Sequence, residues 1–481
     1  MNAQNMRQIV LIIRESGGFR IISLALFLFV SMGAGCASTP KAVTEQIPHE
    51  FTFPRNFLWG AATSAHQVEG NNINNDWWEW EQTRIPKARS GQACDHWNRF
   101  EEDFKLAQAL GHTAHRFSIE WSRIEPQEGQ WDSAALEHYA QVIRSLRAKG
   151  IEPIVTLHHF TLPLWLARQG GWLSEKTPQL FARYVKKVTE ALGGDVHYWM
   201  TLNEPVVYTY KGYMAGEWPP GGKSPKEAID VFENLLLGHV LAYEQIKEIY
   251  TQENWQEPMV GIAQSVLIFR ACSDRSFRDR IAARFRHWMF NHLFVQALVR
   301  GKAYCIGVFN VHLPRAKTLD FIGLNYYTRD FVLHHGYGFP GILGQACTAT
   351  AEQNRHTGKD NFLSWEIYPK GLHTFLEDFS RYKLPLLVSE NGIATNDDTE
   401  RVSFIVEHLK AVAQAMEEGA PVIGYLYWSL LDNYEWAEGF VPRFGLIEVN
   451  YTTQKRRIRG SARKLEKIIR AGKIGFEKHE Y

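Results

Sequence analysis

Cysteine is scarce in this sequence, five in 481 residues, and no two stand in a Cys-x-x-Cys pair. That excludes a disulfide scaffold, a zinc ribbon and a thioredoxin-like redox site. Charge of one sign is missing too: 53 Lys+Arg face 52 Asp+Glu, a net charge of +1. Such a balance gives no field for a polyanion, so no nucleic-acid partner is expected. Neither a Gly-rich phosphate loop nor a His-Glu-x-x-His zinc motif occurs. From Phe51 onward there is no linker, repeat or low-complexity tract to divide the chain. Aromatic residues, by contrast, are plentiful: 16 Trp, 19 Tyr and 28 Phe. They fill cores first, but Trp and Tyr also line sites that need an apolar face with a polar handle.

Long hydrophobic runs are also lacking. The apolar stretch Ile21–Val30 is far short of the ~20 residues that a membrane span requires and fits the core of a signal peptide. Arg7, Arg14 and Arg20 precede it, and Gly33-Ala34-Gly35-Cys36 follow. This ending resembles a bacterial lipoprotein cleavage site, with Cys36 as the lipidated residue, although Gly33 stands where a larger aliphatic is usual. The expected organisation is a signal peptide over residues 1–36, a polar tether over 37–50, a catalytic domain over 51–473 and a tail over 474–481. The expected location is the cell envelope, periplasmic or lipid-anchored, or the cytoplasm if the segment is not a working signal. The membrane is then a partner only through this N-terminal segment. The other cysteines, Cys94, Cys272, Cys305 and Cys347, allow three full pairings or none, and are read as buried free thiols.

Short β-rich runs alternate with helical patterns along the rest of the chain, as in a parallel sheet of βα units. The runs are Phe57–Ala62, Thr113–Ile119, Pro153–Leu157, Tyr198–Leu202, Val260–Val266, Phe321–Tyr326, Pro385–Val388 and Val422–Tyr427. Helical patterns cover Phe100–Leu110, Leu136–Lys149, Pro178–Leu192, Leu235–Tyr250 and Val402–Glu418. Eight strands predict an α/β fold, a single (β/α)₈ TIM barrel with long βα loops. Polar residues gather where the runs end: Gln67 and Glu69, Arg116, His159, Asn203 and Glu204, Asn325 and Tyr327, Glu390 and Asn391, and Trp428. Unpaired buried charge is costly, and the C-terminal strand ends of a barrel converge on one face, so the pattern argues for a catalytic mouth.

Glu204 ends the fourth run and Glu390 the seventh, each beside an Asn. Two carboxyls facing each other across a barrel mouth suit acetal hydrolysis, one protonated to serve the leaving oxygen and one ionised to attack. Four segments carry a more specific signal: Phe57 to Gly70 (FLWGAATSAHQVEG), Asn203-Glu204-Pro205, Glu390-Asn391-Gly392, and Trp428 to Trp436 (WSLLDNYEW). In this order they resemble glycoside hydrolase family 1, the β-glucosidase/β-galactosidase family, from Phe51 to about Lys473.

The resemblance implies a retaining exo-β-glycosidase, an O-glycosyl hydrolase that needs no cofactor or metal and takes a small β-glycoside. It implies Glu390 as nucleophile and Glu204 as acid/base, with Arg116 and Tyr327 in contact with the nucleophile. Sugar contacts would come from Gln67, His159, Asn203, Asn325, Trp428, Glu435 and Trp436, and an aglycone platform from Trp365. Glu435 matches the residue that grips O4 and O6, which suits an unphosphorylated hexose. Glucose is the leading glycone; galactose, fucose and mannose stay open, as do transglycosylation and a non-catalytic sugar- or protein-binding role.

Some positions depart from the family pattern. His159-Phe160-Thr161-Leu162-Pro163 replaces the usual His-Trp-Asp-Leu-Pro, losing an indole N–H that would serve O3. Ser389 and Asn450 replace a common Thr and Asp, both expected to be neutral for the mechanism. The segment from Gln264 to Lys317 is shorter and more diverged, leaving the leaving-group preference open. His158-His159 is read as two strand neighbours facing opposite ways rather than a metal pair, and the basic run Lys455 to Arg459 as a solvated face.

Overall fold

The computed structural model describes residues 50–84, 89–305, 308–347 and 362–476. The signal-peptide, tether and Cys36 readings, and most of the C-terminal tail, lie outside them. Eight parallel strands form the barrel: β1 Leu58–Ala62, β2 Ala114–Ser118, β3 Glu152–His158, β4 Tyr198–Asn203, β5 Met259–Ala271, β6 Ile322–Leu333, β7 Leu386–Asn391 and β8 Val422–Trp428. Each pairs with the next, and β8 pairs with β1, which closes the cylinder. All eight expected runs are strands. A short antiparallel pair, Glu50–Thr52 with Lys473–Gly475, joins the two ends of the described chain.

The strands read as near-continuous apolar runs because both faces are covered. Inside the cylinder, Ala114, Ile154, Met200, Ala263, Phe321, Leu387 and Leu426 form one fully buried cluster. This layer plugs the barrel, which is therefore a packed core and not a pore. Outside, helices bury one stripe each: Thr177–Leu192 turns Phe181, Tyr184, Val185, Val188 and Leu192 inward, at helical spacing. Asp132 and Asp397 cap the helices Ser133–Ala148 and Asp398–Glu417 by accepting from two backbone N–H groups each.

Some expectations need correction. Cys272 and Cys347 form a disulfide, and among the described residues Cys94 and Cys305 are the buried thiols. The pairing follows from length: β5 and β6 run far beyond their expected ends and stay hydrogen-bonded out to Ala271 and Val332. The Cys272 N–H donates to the Val332 carbonyl and that of Cys347 to Phe331. The basic run is not simply a solvated face. Arg456 pairs with fully buried Asp103 at 2.8 Å and Arg459 with fully buried Asp432 at 2.8 Å, while Arg457 between them is exposed. Helices Phe277–His287, Leu293–Arg300, Pro369–Ser380 and Gly460–Ala471 add to those expected.

Candidate active site

The mouth of the barrel is a cavity of about 1310 Å³. Gln67, His159, Asn203, Glu204, Tyr327, Trp365, Glu390, Trp428, Glu435 and Trp436 all line it, so the structure brings together ten of the expected residues. The other two, Arg116 and Asn325, are fully buried and bonded to the carboxyls.

β2 delivers Arg116. Its guanidinium spans three strands, donating to Thr156 Oγ1 at 2.9 Å, to Glu390 Oε1 at 2.5 Å and to Asn203 Oδ1 at 2.6 Å. β6 lies beside β7, with Asn325 in register with Glu390. Tyr327, two residues on and therefore on the same face, donates its phenol proton to Glu390 Oε2 at 2.6 Å. The Asn325 amide donates to Asn203 Oδ1 at 3.1 Å and to Glu204 Oε1 at 3.0 Å. The two carboxyls, 186 residues apart by number (390 − 204), are thus held in one hydrogen-bonded frame through Arg116, Asn203 and Asn325. Glu204 itself sits at a left-handed turn, φ 45°, where β4 gives way to the helix Pro205–Thr209, and its N–H donates to the Ala263 carbonyl at 2.7 Å. A non-glycine residue there is strained by ~1–3 kcal/mol, which the surrounding frame must offset.

The electrostatics separate the two glutamates. Burial pushes the Glu204 carboxyl up to about 8, and the charge of Glu390 adds to that shift. Burial also raises Glu390, but Arg116 and the Tyr327 hydroxyl oppose it. Glu435 is raised to about 8, again by burial first and Glu390 second. Of three carboxyls crowding one cavity, the one with a guanidinium and a phenol directed at it carries the charge most readily. Glu204 remains a proton donor near neutrality. Glu435 accepts from the Gln67 amide at 3.2 Å and, with its raised pKa, holds a proton more readily than an exposed carboxyl.

The opposite side of the mouth is a polar and aromatic frame. Gln67 accepts from the Ser64 hydroxyl at 2.6 Å and donates to Asn433 Oδ1, the Tyr434 carbonyl and Glu435 Oε2 at 2.8–3.2 Å. The His159 ring lies near-parallel to those of Trp428 and Trp436, each 6.1 Å away. Its Nε2 is 3.2 Å from the Asn203 amide, while Nδ1 is buried without a protein partner among the described residues. Burial and Arg116 keep this imidazole neutral. His158, as expected, faces elsewhere and accepts from the Trp172 indole at 3.1 Å. Phe160 fills its position by packing on Trp218 and Trp436, at 4.8 and 5.2 Å. Trp365 stands 5.3 Å from Tyr327.

Ser389 keeps the hydroxyl that the common Thr would supply, so the exchange itself is conservative, but the part that hydroxyl plays was missed. Its hydroxyl donates to Asn325 Oδ1 at 2.7 Å and so fixes which way that amide faces Glu204. Trp218, on the cavity wall, and Asn433, behind Gln67, were also missed. Asn450, by contrast, only caps its own turn by accepting from the Thr452 and Thr453 N–H groups.

Residues 49–474 match the family described as Glycosyl hydrolase family 1. The chain belongs to that family. It is 32% identical over 450 residues to a 1,4-beta-D-glucan glucohydrolase of Thermotoga neapolitana, covering 87% of this chain and 98% of that one. A beta-galactosidase of Pyrococcus woesei is 34% identical over 481 residues, covering 84% and 94%. Among solved structures, a beta-glycosidase from Pyrococcus horikoshii superposes with a TM-score of 0.81 at 42% identity, over 89% of this chain and 96% of that one. Beta-glucosidase from Thermotoga maritima in complex with glucoimidazole gives 0.79 at 31% identity, over 88% and 99%. This family 1 member is an O-glycosyl hydrolase with the barrel fold of its relatives.

Proposed function

We propose that the protein is a retaining exo-β-glucosidase that removes terminal β-D-glucosyl residues, with Glu390 as nucleophile and Glu204 as acid/base. The observation that carries the reading is the pair of buried carboxyls in one frame, one served by a cation and a phenol, the other raised to about 8. The Glu390 carboxylate attacks the anomeric carbon while Glu204 gives its proton to the glycosidic oxygen. The carbon–oxygen bond breaks, the alcohol departs and the glucosyl group is held as an ester of Glu390. Glu204 is left as a carboxylate, and because the ester has removed the negative charge that helped raise its pKa, it stays ionised and can accept a proton from water. Water adds to the anomeric carbon from the face that the alcohol left, and Glu390 is freed. Two inversions give retention, which calls for carboxyls ~5–5.5 Å apart.

The glycone lies against Trp428, with its hydroxyls met by Gln67, His159, Asn203, Glu435 and Trp436, all of which line the cavity. The likeness to a 1,4-beta-D-glucan glucohydrolase and to a beta-glucosidase in complex with glucoimidazole supports glucose as the glycone. A disulfide between Cys272 and Cys347 supports an oxidising compartment, in line with export to the cell envelope through the N-terminal segment. The test is Glu390→Gly with nitrophenyl β-D-glucoside. Turnover should vanish and return as glucosyl azide when azide is added; full activity without azide refutes the assignment.

A further inference from the structure

We propose that the outer face of the helix Phe277–His287 docks on the surface of an anionic lipid bilayer. Such docking is independent of the glucosidase chemistry. Acidic and basic residues balance at +1 over the chain, but residues 270–286 hold six arginines against two aspartates, a local charge of +4. That concentration in an otherwise neutral protein suits a negatively charged partner.

The helix divides cleanly into two faces. Asp279, Ala282 and Ala283 are buried against the rest of the fold, and the Asp279 carboxylate accepts from the His334 N–H at 2.9 Å. Arg286 is 3.8 Å from Asp330 on the same inner side. Phe277, Arg280 and Arg284 fall together on the other face at helical spacing, and all three are exposed. Arg275 and Arg278, exposed as well, flank them, opposed by exposed Asp274. Among the described residues, two of these guanidinium groups meet aromatic rings instead of acids: Arg280 lies 5.9 Å from Phe277 and Arg278 5.7 Å from Tyr337.

The rings decide which anionic partner fits. Phe277 is 58% exposed and Tyr337 50%, both beside the arginines. Single exposed hydrophobics are ordinary. Rings standing among exposed arginines supply both halves of an interfacial contact, cations for the phosphates and apolar groups to sink below them. A soluble polyanion would satisfy the arginines and leave the rings in water. An anionic bilayer takes both, and each arginine near its surface adds about fivefold to partition.

The experiment measures partition of the full-length chain onto sedimented vesicles of phosphatidylcholine containing about 30% phosphatidylglycerol, and onto phosphatidylcholine alone. The N-terminal segment is common to every variant, so differences between variants report the helix. The wild type should bind anionic vesicles about tenfold or more tighter than neutral ones. Arg278→Gln/Arg280→Gln/Arg284→Gln should lose about tenfold or more on anionic vesicles, and Phe277→Ser severalfold, both with a wild-type Tm. A triple variant that binds like the wild type assigns the attraction to the N-terminal segment and overturns the proposal. If Phe277→Ser matches the wild type and dextran sulfate captures the protein as tightly as vesicles do, the partner is a soluble polyanion and the bilayer is refuted. The unaltered protein gives a second reading should a variant misfold. Raising NaCl from about 50 to about 300 mM should weaken its binding to anionic vesicles about tenfold or more, and binding indifferent to salt contradicts the docking.

Discussion

Replacing Tyr327 by Phe isolates the group that distinguishes the nucleophile from the other buried carboxyls. The phenol donates to Glu390 Oε2 at 2.6 Å, and its removal deletes one oxygen while leaving the ring between Trp365 and Phe444. A hydrogen bond to a charged acceptor contributes ~1.5–3 kcal/mol, and it favours the ionised form of Glu390. Losing it therefore raises the Glu390 pKa, by ~1–2 units at 1.36 kcal/mol per unit. Activity needs Glu390 ionised and Glu204 protonated, so kcat/KM should be bell-shaped in pH. Its alkaline limb should lie near 8, where Glu204 loses its proton. In the variant the acid limb should move up by ~1–2 pH units, narrowing the bell from below while the alkaline limb stays or falls slightly. The assay is kcat/KM for nitrophenyl β-D-glucoside from pH 4 to 10. A lowered plateau with an unmoved acid limb would refute the reasoning, since the phenol would then not be holding the charge on Glu390.

Glu204→Gln should slow cleavage of alkyl glucosides by ~10²–10⁴-fold but affect glucosylation by dinitrophenyl glucoside far less, since that leaving group needs no proton; equal losses in single-turnover assays would contradict the acid role. The same variant should be the more stable protein at alkaline pH. The wild-type carboxyl, raised from 4.5 to about 8 in the fold, contributes stability that is complete below pH 4.5 and lost as pH rises through about 8. The Tm advantage of the variant should therefore widen across that interval; a constant difference would sink the claim. Cys272→Ser/Cys347→Ser opens a loop of 75 residues, so the urea midpoint should fall by the equivalent of ~2–4 kcal/mol, and dithiothreitol should bring the wild type down to match. Ser389→Ala frees the Asn325 amide and should cost ~0.5–1.5 kcal/mol in kcat/KM, about 2–10-fold; steady-state kinetics on nitrophenyl β-D-glucoside would expose a neutral substitution.

Strand positions were legible because a buried parallel strand must be apolar on both faces, and the polar residues at the strand ends announced the mouth. Glu204, Glu390, Arg116 and Tyr327 could be assigned to the site because their motifs fall where strands end. Less could be read wherever an element's length is set by its neighbours. β5 and β6 support each other well past the barrel, to Ala271 and Val332, and no local feature of Leu267–Ala271 says so. The Cys272–Cys347 bridge depends on that extension and was invisible without it. Arg456 and Arg459 looked like surface charge because their partners, Asp103 and Asp432, are distant in sequence. The exchange at Ser389 keeps a threonine's hydroxyl, but the part that hydroxyl plays passes through Asn325, a residue on another strand, and its own motif does not show it. The raised pKa of Glu435 likewise depends on burial and on Glu390, neither of which its own motif shows.

The central claim is that Glu390 takes the sugar covalently while Glu204 manages the proton. Incubation with a 2-deoxy-2-fluoro-β-glucosyl fluoride, which slows release more than attack, followed by proteolysis and mass spectrometry, tests it most directly. A fluoroglucosyl group on the peptide containing Glu390, located to that residue by fragmentation, is the predicted result. A label on Glu204 or Glu435, or turnover with inverted product and no adduct, would contradict it.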